Sequence, residues 1–126
     1  MAVDRAGIAW DWRGGERDDP GERAVAEIFG PCGGAGLYAR RMMLQLGGFD
    51  EDFFAYLEDV DLAWRARLAG LRCFYQPPAR ILPAHSATLG DASPAKRLLL
   101  GRHQVWAPPK NRPHRPLPGD GPRGAF

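Results

Sequence analysis

The stretch "FFAYLEDVDLAWR", residues 53–65, combines a helix pattern with three carboxylates inside a run of aromatic and aliphatic side chains. From Leu57 onward apolar residues recur at intervals of three or four positions, which is the spacing of one face of an α-helix. These residues are Leu57, Val60, Trp64, Leu68 and Leu71. The spacing predicts one buried helix face, and Gly70 predicts the end of the helix because glycine readily takes the left-handed C′ conformation.

The carboxylates Glu58, Asp59 and Asp61 in this stretch have two interpretations. In the first turn of a helix, free N–H groups and the macrodipole favour anions, so such acids are common caps that remain ionised. The aromatic residues just before them indicate instead a buried approach, where charges are seldom placed without a partner or a ligand. An ionised carboxylate at a pocket edge can accept the proton of an attacking hydroxyl. The pattern alone favours caps and leaves catalysis open.

Size and composition place the chain among globular proteins of one domain or of half a larger fold. Of its 126 residues, 44% are hydrophobic and 25% charged, and the formal net charge is +2. This balance does not favour nucleic acid as a partner. The longest strictly aliphatic run, Leu98–Leu100, is far shorter than the ~20 residues of a membrane-spanning helix, and no signal peptide pattern opens the sequence. A cytoplasmic location is therefore predicted.

Cysteines and histidines predict no metal site within this chain. Cys32 and Cys73 are too few and too far apart for a disulfide framework or a CxxC site, and they predict small buried thiols in a reducing compartment. His85, His103 and His114 lack the mutual spacing of metal ligands. Only His85, in "AHSATLG", has a setting that suggests a loop beside a site, although a lone loop histidine is more often a surface residue.

Breaker residues and composition divide the chain into three parts. Residues 1–27 mix tryptophans and charges with Gly and Pro, and they predict an irregular N-terminal segment. Residues 28–106 carry the helix and strand patterns and predict one α/β unit. Residues 107–126 hold nine Pro or Gly among 20 positions and predict a disordered tail.

Within the middle part, the pattern predicts several further elements. They are a Gly-rich turn "GPCGGAG", a strand at "LYA", a short helix stopped by Gly47-Gly48, strands at "LRCFYQ" and "ARILPA" around a Pro77-Pro78 turn, and a helix from Ser93-Pro94 to about Trp106. The Gly-rich turn lacks the spacing of a phosphate-binding loop, which leaves a ligand-lining turn and a structural turn about equal. The last predicted helix is basic and has two interpretations. It can cover the core or make a peripheral contact with a membrane surface, and the pattern favours the first.

The order of these elements resembles the C-terminal half of the bacterial family 2 glycosyltransferases, especially the rhamnosyltransferase-like members that build cell-surface and cell-wall polysaccharides. The resemblance is carried by "GGFDE" and "YLEDVDL" at the family's distance from each other, after a Gly-rich strand and before a strand ending in "P.A". It extends from about Trp10 to Trp106, and "SATLG", "GRHQVW" and "PKN" look like the family's continuation.

The resemblance implies a partial GT-A fold, a Rossmann-like mixed sheet with flanking helices, of which this chain carries the acceptor-side half. It implies that Asp59 is the general base and that Glu58 orients it or binds acceptor. It also implies a floor of the site at Gly33 and Gly34. The substrates implied are a nucleotide sugar and a glycan or lipid-linked acceptor, and the full-length family uses Mg²⁺ or Mn²⁺.

The same resemblance implies further substrate-binding positions at Asp61, Arg65 and His85, with Asp61 orienting or structural. Many family members carry a histidine some two dozen residues after the base, where this chain has Pro83. Proline cannot ligate a metal, and His85 matches a second histidine of some relatives. His85 is therefore the candidate to retain part of that role.

The family's nucleotide-binding half and its Asp-x-Asp motif have no counterpart in this sequence. We therefore expect the chain to be a fragment of an inverting glycosyltransferase that is inactive alone, at the inner face of the membrane or free in the cytoplasm. The alternative is a non-catalytic module, derived from such an enzyme, that binds glycan or protein.

Overall fold

A computed structural model describes residues 1–4, 7–17, 19, 21–81 and 93–111, with the backbone alone at 106–109 and 111. Its strands and helices, in chain order, are β1 (Ala2–Val3), β2 (Ala9–Trp10), β3 (Ala26–Ile28), α1 (Arg40–Leu46), α2 (Glu58–Leu68), β4 (Cys73–Tyr75) and α3 (Pro94–Asn111). Strand β1 pairs with β2 and β3 with β4, both antiparallel. The α/β class is confirmed, while the described residues contain two small antiparallel sheets rather than the expected mixed sheet.

The N-terminal segment is more ordered than the prediction for residues 1–27. Ala2 and Val3 in β1 are 2% and 7% exposed, and Val3 belongs to the core cluster. The irregular assignment is therefore wrong for these residues. Strands of two residues are too short to display an alternating pattern, and their burial comes from contacts with distant parts of the chain.

The core is formed where α2 packs on β3 and β1. The side chains of Phe29 and Trp64 meet edge to face at 5.0 Å between ring centroids, and Val60 and Ala63 complete the cluster with Val3. Backbone and helix approach so closely that a Cβ on Gly30 would lie 2.4 Å from Cβ of Ala63. This contact fixes the position of the first half of α2 and hence of its acidic residues.

Helix α2 is confirmed, but its burial differs from the predicted single face. Residues 60–64 are all buried, whereas Leu68 is 44% exposed. Neighbouring elements therefore cover residues 60–64. The apolar face that periodicity predicted to be buried is exposed to solvent at Leu68, near the C-terminal end of the helix. Periodicity identifies a helix face, but the extent of its cover depends on the other elements.

The glycine stops are confirmed. Gly47 has φ +77° and its N–H donates to the carbonyl of Met43 at the end of α1. Gly70, also at φ +77°, follows the C-cap of α2. Left-handed backbone carries no Cβ penalty at glycine, which explains why both helices end there.

The predicted strands have mixed outcomes. The strand at "LRCFYQ" is confirmed as β4, and Pro77-Pro78 forms the predicted turn. The strand at "LYA" is wrong, because residues 37–39 make no ladder, and residues 79–81 of "ARILPA" are not a strand either. Short apolar runs become strands only where a partner edge is available.

Helix α3 begins at Pro94 as predicted, with the N–H of Lys96 donating to Oγ of Ser93. It continues to Asn111, so the predicted end at Trp106 is wrong and the first five residues of the predicted disordered tail are helical. The predicted disorder rests on the Pro and Gly content of residues 107–126, which does not exclude one more helical turn at its start. Lys110 pairs with Asp50 near this end of the helix and connects it to the rest of the fold. Residues 112–126 lie outside the described residues.

The cysteines are both free, but the predicted burial is wrong for Cys32, which is exposed, while Cys73 is partly buried. Burial raises the pKa of the Cys73 thiol, with smaller opposing effects from nearby positive charges.

Candidate functional site

The acids of α2 follow a segment of strained backbone. Phe54, Tyr56 and Leu57 have φ values of 55°, 66° and 65°, in the region that non-glycine residues rarely occupy. Each such residue costs on the order of 1–3 kcal/mol and persists only where the surrounding structure imposes it. Leu57 is itself the N-cap of α2 and makes no side-chain cap bond. The direction in which α2 starts is therefore set by this segment, which we call the strained segment, residues 54–57.

Asp59 lies in the first turn of α2 and accepts hydrogen bonds with both carboxylate oxygens. Its Oδ1 accepts from the N–H of Val60, and its Oδ2 accepts from the N–H of Gly33 in the Gly-rich turn, each at 2.8 Å. The first bond agrees with the cap interpretation, since it satisfies a free N–H of the first turn. The second joins the helix to a turn 26 residues earlier, which local capping does not explain.

Glu58 is next to Asp59 but has different surroundings. Its Oε2 is buried and has no hydrogen-bond partner among the described residues. Burial raises the pKa of the Glu58 carboxyl, and the charge of Asp59 adds to this, while a backbone hydrogen bond and His103 oppose it. Glu58 therefore holds a proton more readily than an exposed glutamate does. The two adjacent acids thus have distinct environments, which suits distinct roles.

Gly33 brings the Gly-rich turn against both acids. A Cβ at this position would lie 3.3 Å from Oε1 of Glu58 and 3.5 Å from Oδ2 of Asp59. At Gly34 a Cβ would have nothing within 4 Å. The structure therefore brings together three of the predicted site residues, Gly33, Glu58 and Asp59. Next to them, Gly34 faces open space.

Asp61 and Arg65 make internal contacts. Asp61 is 0% exposed, and its Oδ2 accepts from Nε of Arg65 at 2.8 Å. The Arg65 guanidinium also donates to the carbonyls of Leu46 and Gly48 at 2.7 and 2.9 Å. The pair connects α2 to the C-terminal end of α1. These contacts give both side chains a structural role, and substrate binding by either one stays a prediction.

Tyr38 is a further candidate site residue, which the sequence pattern does not indicate. Its hydroxyl is buried without a partner among the described residues. Burial raises the pKa of Tyr38 to about 12, with a contribution from the charge of Asp59. The ring packs edge to face on Phe49 at 5.7 Å. The residue lies in "LYA", whose pattern predicts a strand and not a site. The only sequence signal is that a buried tyrosine hydroxyl usually has a hydrogen-bond partner.

His103 was also missed. It is 0% exposed, its Nδ1 lies 2.8 Å from the carbonyl oxygen of Tyr56, and its ring contacts that of Phe53 at 4.9 Å. The sequence contains an indication of its burial. His103 follows Leu99 and Leu100 by four and three positions, so the three side chains lie on the same side of α3. His85 and Pro83 lie outside the described residues.

A carboxylate such as that of Asp59 is a chemical group that can accept a proton from a hydroxyl, and two buried polar atoms, the Tyr38 hydroxyl and Oε2 of Glu58, have no hydrogen-bond partner among the described residues. In the part of the chain that the structure describes, no three His, Cys, Asp or Glu residues are grouped so as to hold a metal ion. No helix among the described residues has the length and apolarity needed to cross a membrane.

Comparison with known proteins shows a similarity to a curated enzyme. The chain is 39% identical over 102 residues to the N-acetylglucosaminyl-diphospho-decaprenol L-rhamnosyltransferase of two strains of Mycobacterium tuberculosis. The match covers 72% of this chain and 32% of each relative, so the chain spans about a third of the length of the curated relatives it matches. No protein-family model and no solved structure matches. The predicted resemblance to a rhamnosyltransferase, and so to a glycosyltransferase, is confirmed at the level of sequence.

Proposed function

We propose that this chain is the acceptor-side part of an inverting, GT-A-type family 2 glycosyltransferase. The observation that carries the proposal is the position of Asp59, a carboxylate fixed by the N–H of Gly33 at the edge of a Gly-rich turn. The similarity to a rhamnosyltransferase supports the same class of reaction. The substrates proposed are a nucleotide sugar and a lipid-linked or glycan acceptor, in polysaccharide synthesis for the cell wall.

The proposed reaction uses Asp59 as the base. Its carboxylate takes the proton of an acceptor hydroxyl while that oxygen forms a bond to the anomeric carbon of the donor sugar. The bond from this carbon to the nucleoside diphosphate breaks, the diphosphate leaves with the electron pair, and the anomeric configuration inverts. Glu58 and Tyr38 would orient the acceptor by hydrogen bonds, and the open space at Gly34 would admit it.

The metal of this chemistry, Mg²⁺ or Mn²⁺, would neutralise the leaving diphosphate. The described residues do not form a suitable ligand group, so we propose that other parts of the enzyme hold it. We also propose a cytoplasmic location at the inner face of the membrane, where a lipid-linked acceptor would be presented. Contact with the membrane surface would then be peripheral.

A second candidate is a non-catalytic module that binds glycan or protein. It is favoured by one observation, which is that the chain spans only 32% of the length of the rhamnosyltransferases it matches. Such a module would bind oligosaccharide without a nucleotide and would not transfer sugar.

A chimera separates these candidates. The chain replaces the matched segment of the M. tuberculosis relative, and sugar transfer from a nucleotide-activated L-rhamnose to that relative's acceptor is measured. We expect no transfer by the 126-residue chain alone, transfer by the chimera, and a loss of about 10²–10⁴-fold in the chimera with D59N, the range typical of removing a general base.

The control is D52N, which neutralises an exposed acid in the turn before the strained segment. Full activity of the D59N chimera would show that Asp59 is not the base. An inactive chimera, together with glycan binding by the isolated chain, would favour the binding module. Transfer by the isolated chain would contradict its assignment as an inactive part of a larger enzyme.

A further inference from the structure

The strained segment needs a support outside itself. Leu57 starts α2 from a left-handed conformation without a side-chain cap, and Phe54 and Tyr56 also have positive φ. Such backbone persists only where other contacts impose it. Since Asp59 lies two residues beyond the segment, any relaxation of residues 54–57 would turn the first helical residues and move the Asp59 carboxylate relative to Gly33.

Two of the described contacts on this segment come from α3, while Leu57 packs against the core cluster. Nδ1 of His103 lies 2.8 Å from the carbonyl oxygen of Tyr56, and Nζ of Lys96 lies 5.7 Å from the centre of the Tyr56 ring. The His103 ring also packs on Phe53, the residue just before the segment. A carbonyl oxygen only accepts, so Nδ1 of His103 must carry the proton and donate it.

His103 is a polar residue that is completely buried, and packing alone does not explain why a polar side chain occupies this position. It is 0% exposed, and its Nε2 has no hydrogen-bond partner among the described residues. An apolar side chain would fill the same space without leaving a buried nitrogen unsatisfied, which is costly. The bond from Nδ1 to Tyr56 is therefore the feature that explains an imidazole at this position.

We propose that His103 is a positioning residue, whose Nδ1–H holds the Tyr56 carbonyl and thereby keeps the start of α2 aligned so that Asp59 meets the N–H of Gly33. This proposal depends on the proposed function in one respect, which is that Asp59 acts as the base. The geometry it describes can be measured on the chain itself, without sugar transfer.

The first measurement uses the unmodified chain. Long-range proton–nitrogen NMR correlations of the His103 imidazole report which ring nitrogen is protonated. We expect a proton on Nδ1. An unprotonated Nδ1 would overturn the proposal, because it could not donate to Tyr56, and this result needs no variant to fold.

The second measurement compares H103N with H103Q. An asparagine amide can occupy the place of Nδ1 and donate to the Tyr56 carbonyl, whereas a glutamine amide lies nearer the place of Nε2. The amide proton of Gly33 serves as the readout, since its hydrogen bond to the Asp59 carboxylate shifts its resonance downfield. We expect H103Q to lose this downfield shift and H103N to retain it.

The outcomes distinguish positioning from a purely structural role. If H103Q only lowers the unfolding midpoint while the folded protein keeps the wild-type Gly33 amide shift, the proposal is overturned. Loss of the shift in both variants to the same extent would also overturn it, because the donor at the Nδ1 position would then not matter. A chimera inactive in sugar transfer would count against the proposed function and would leave these NMR results unaffected.

Discussion

At the scale of residues, Glu58 and Asp59 show how two neighbouring acids acquire different properties. Asp59 accepts two backbone hydrogen bonds, while Glu58 has a buried oxygen without a partner in the described residues. The sequence gives no basis for this difference, because both side chains fall in the same helical turn. It arises from tertiary contacts, since the N–H of Gly33 donates to Asp59 and no described group donates to Oε2 of Glu58.

The burial of Glu58 predicts a pH-dependent effect of E58Q on stability. The pKa of Glu58 is raised in the folded state, chiefly by burial, from its usual 4.5. Its contribution to stability is then present below that value and is lost as the pH rises through the higher folded pKa. We expect E58Q to gain stability relative to wild type between pH 4 and pH 8, measured by urea unfolding at several pH values.

The control is E51Q, which removes an exposed carboxylate from the turn before the strained segment. If the difference between E58Q and wild type stays constant over this pH range, or changes in the opposite direction, the Glu58 carboxyl is not in the desolvated environment described.

Phe54 offers a direct measure of backbone strain. Its side chain is 85% exposed while its φ is 55° and ψ is −61°. In the middle of a helix or strand, a protein with glycine is less stable than one with alanine by about 0.5–1 kcal/mol. At Phe54 we expect the reverse order, with F54G more stable than F54A by about 1 kcal/mol, because glycine carries no Cβ penalty there.

The comparison of F54G with F54A removes the aromatic side chain from both variants, so the difference in unfolding free energy reports the backbone alone. Chemical denaturation followed by tryptophan fluorescence provides the measurement. The usual order, with alanine more stable, would mean that residue 54 does not hold a positive φ in solution.

At the scale of elements, the contact between β3 and α2 determines where the site forms. Gly30, just after β3, and Ala63 on α2 allow the backbone and the helix to approach closely. The Phe29 and Trp64 rings, from neighbouring positions, pack edge to face against each other. This arrangement places the Gly-rich turn, which follows Gly30, beside the first turn of α2.

G30A is expected to destabilise the protein by about 1–3 kcal/mol, the usual cost of overpacking a core. The new Cβ would lie 2.4 Å from Cβ of Ala63 and force β3 and α2 apart. G34A is the matched control in the same turn, where a Cβ has nothing within 4 Å, and we expect a change within about 0.5 kcal/mol. Urea unfolding of both variants tests this, and equal effects would contradict the close approach.

At the scale of the whole molecule, α3 covers the segment that leads to the site. His103 lies against Phe53, whose side chain is fully buried, and Lys110 lies 5.5 Å from the same ring. Lys110 also pairs with Asp50, which lowers the pKa of that carboxyl through the hydrogen bond between them. The C-terminal helix is therefore part of the site's support, as expected for a helix that covers the core.

Removal of residues 93–126 is expected to lower the unfolding free energy by about 2–3 kcal/mol, because the side chain of Phe53 would become exposed to water. The control removes residues 112–126, beyond the end of α3, and should leave the Phe53 contacts intact. Thermal and urea unfolding of the two shortened chains provide the measurement. Equal stability of the two would show that α3 does not cover Phe53.

The sequence by itself determined the local features: helix α2 and its glycine stop, the short helix ending at Gly47, and the resemblance that identified Asp59 as the candidate base. The two helices and their ends follow from residues within a few positions of one another, whose spacing reflects helix geometry directly, while the candidate base follows from the resemblance alone. The tertiary structure decided the rest, including the buried β1, the extension of α3 and the burial of the Tyr38 hydroxyl and the His103 ring. The bonds that define the site join residues 26 and 47 positions apart, from Gly33 to Asp59 and from Tyr56 to His103. No local pattern specifies such pairs, because they form only when the packing of β3, α2 and α3 brings distant parts of the chain together.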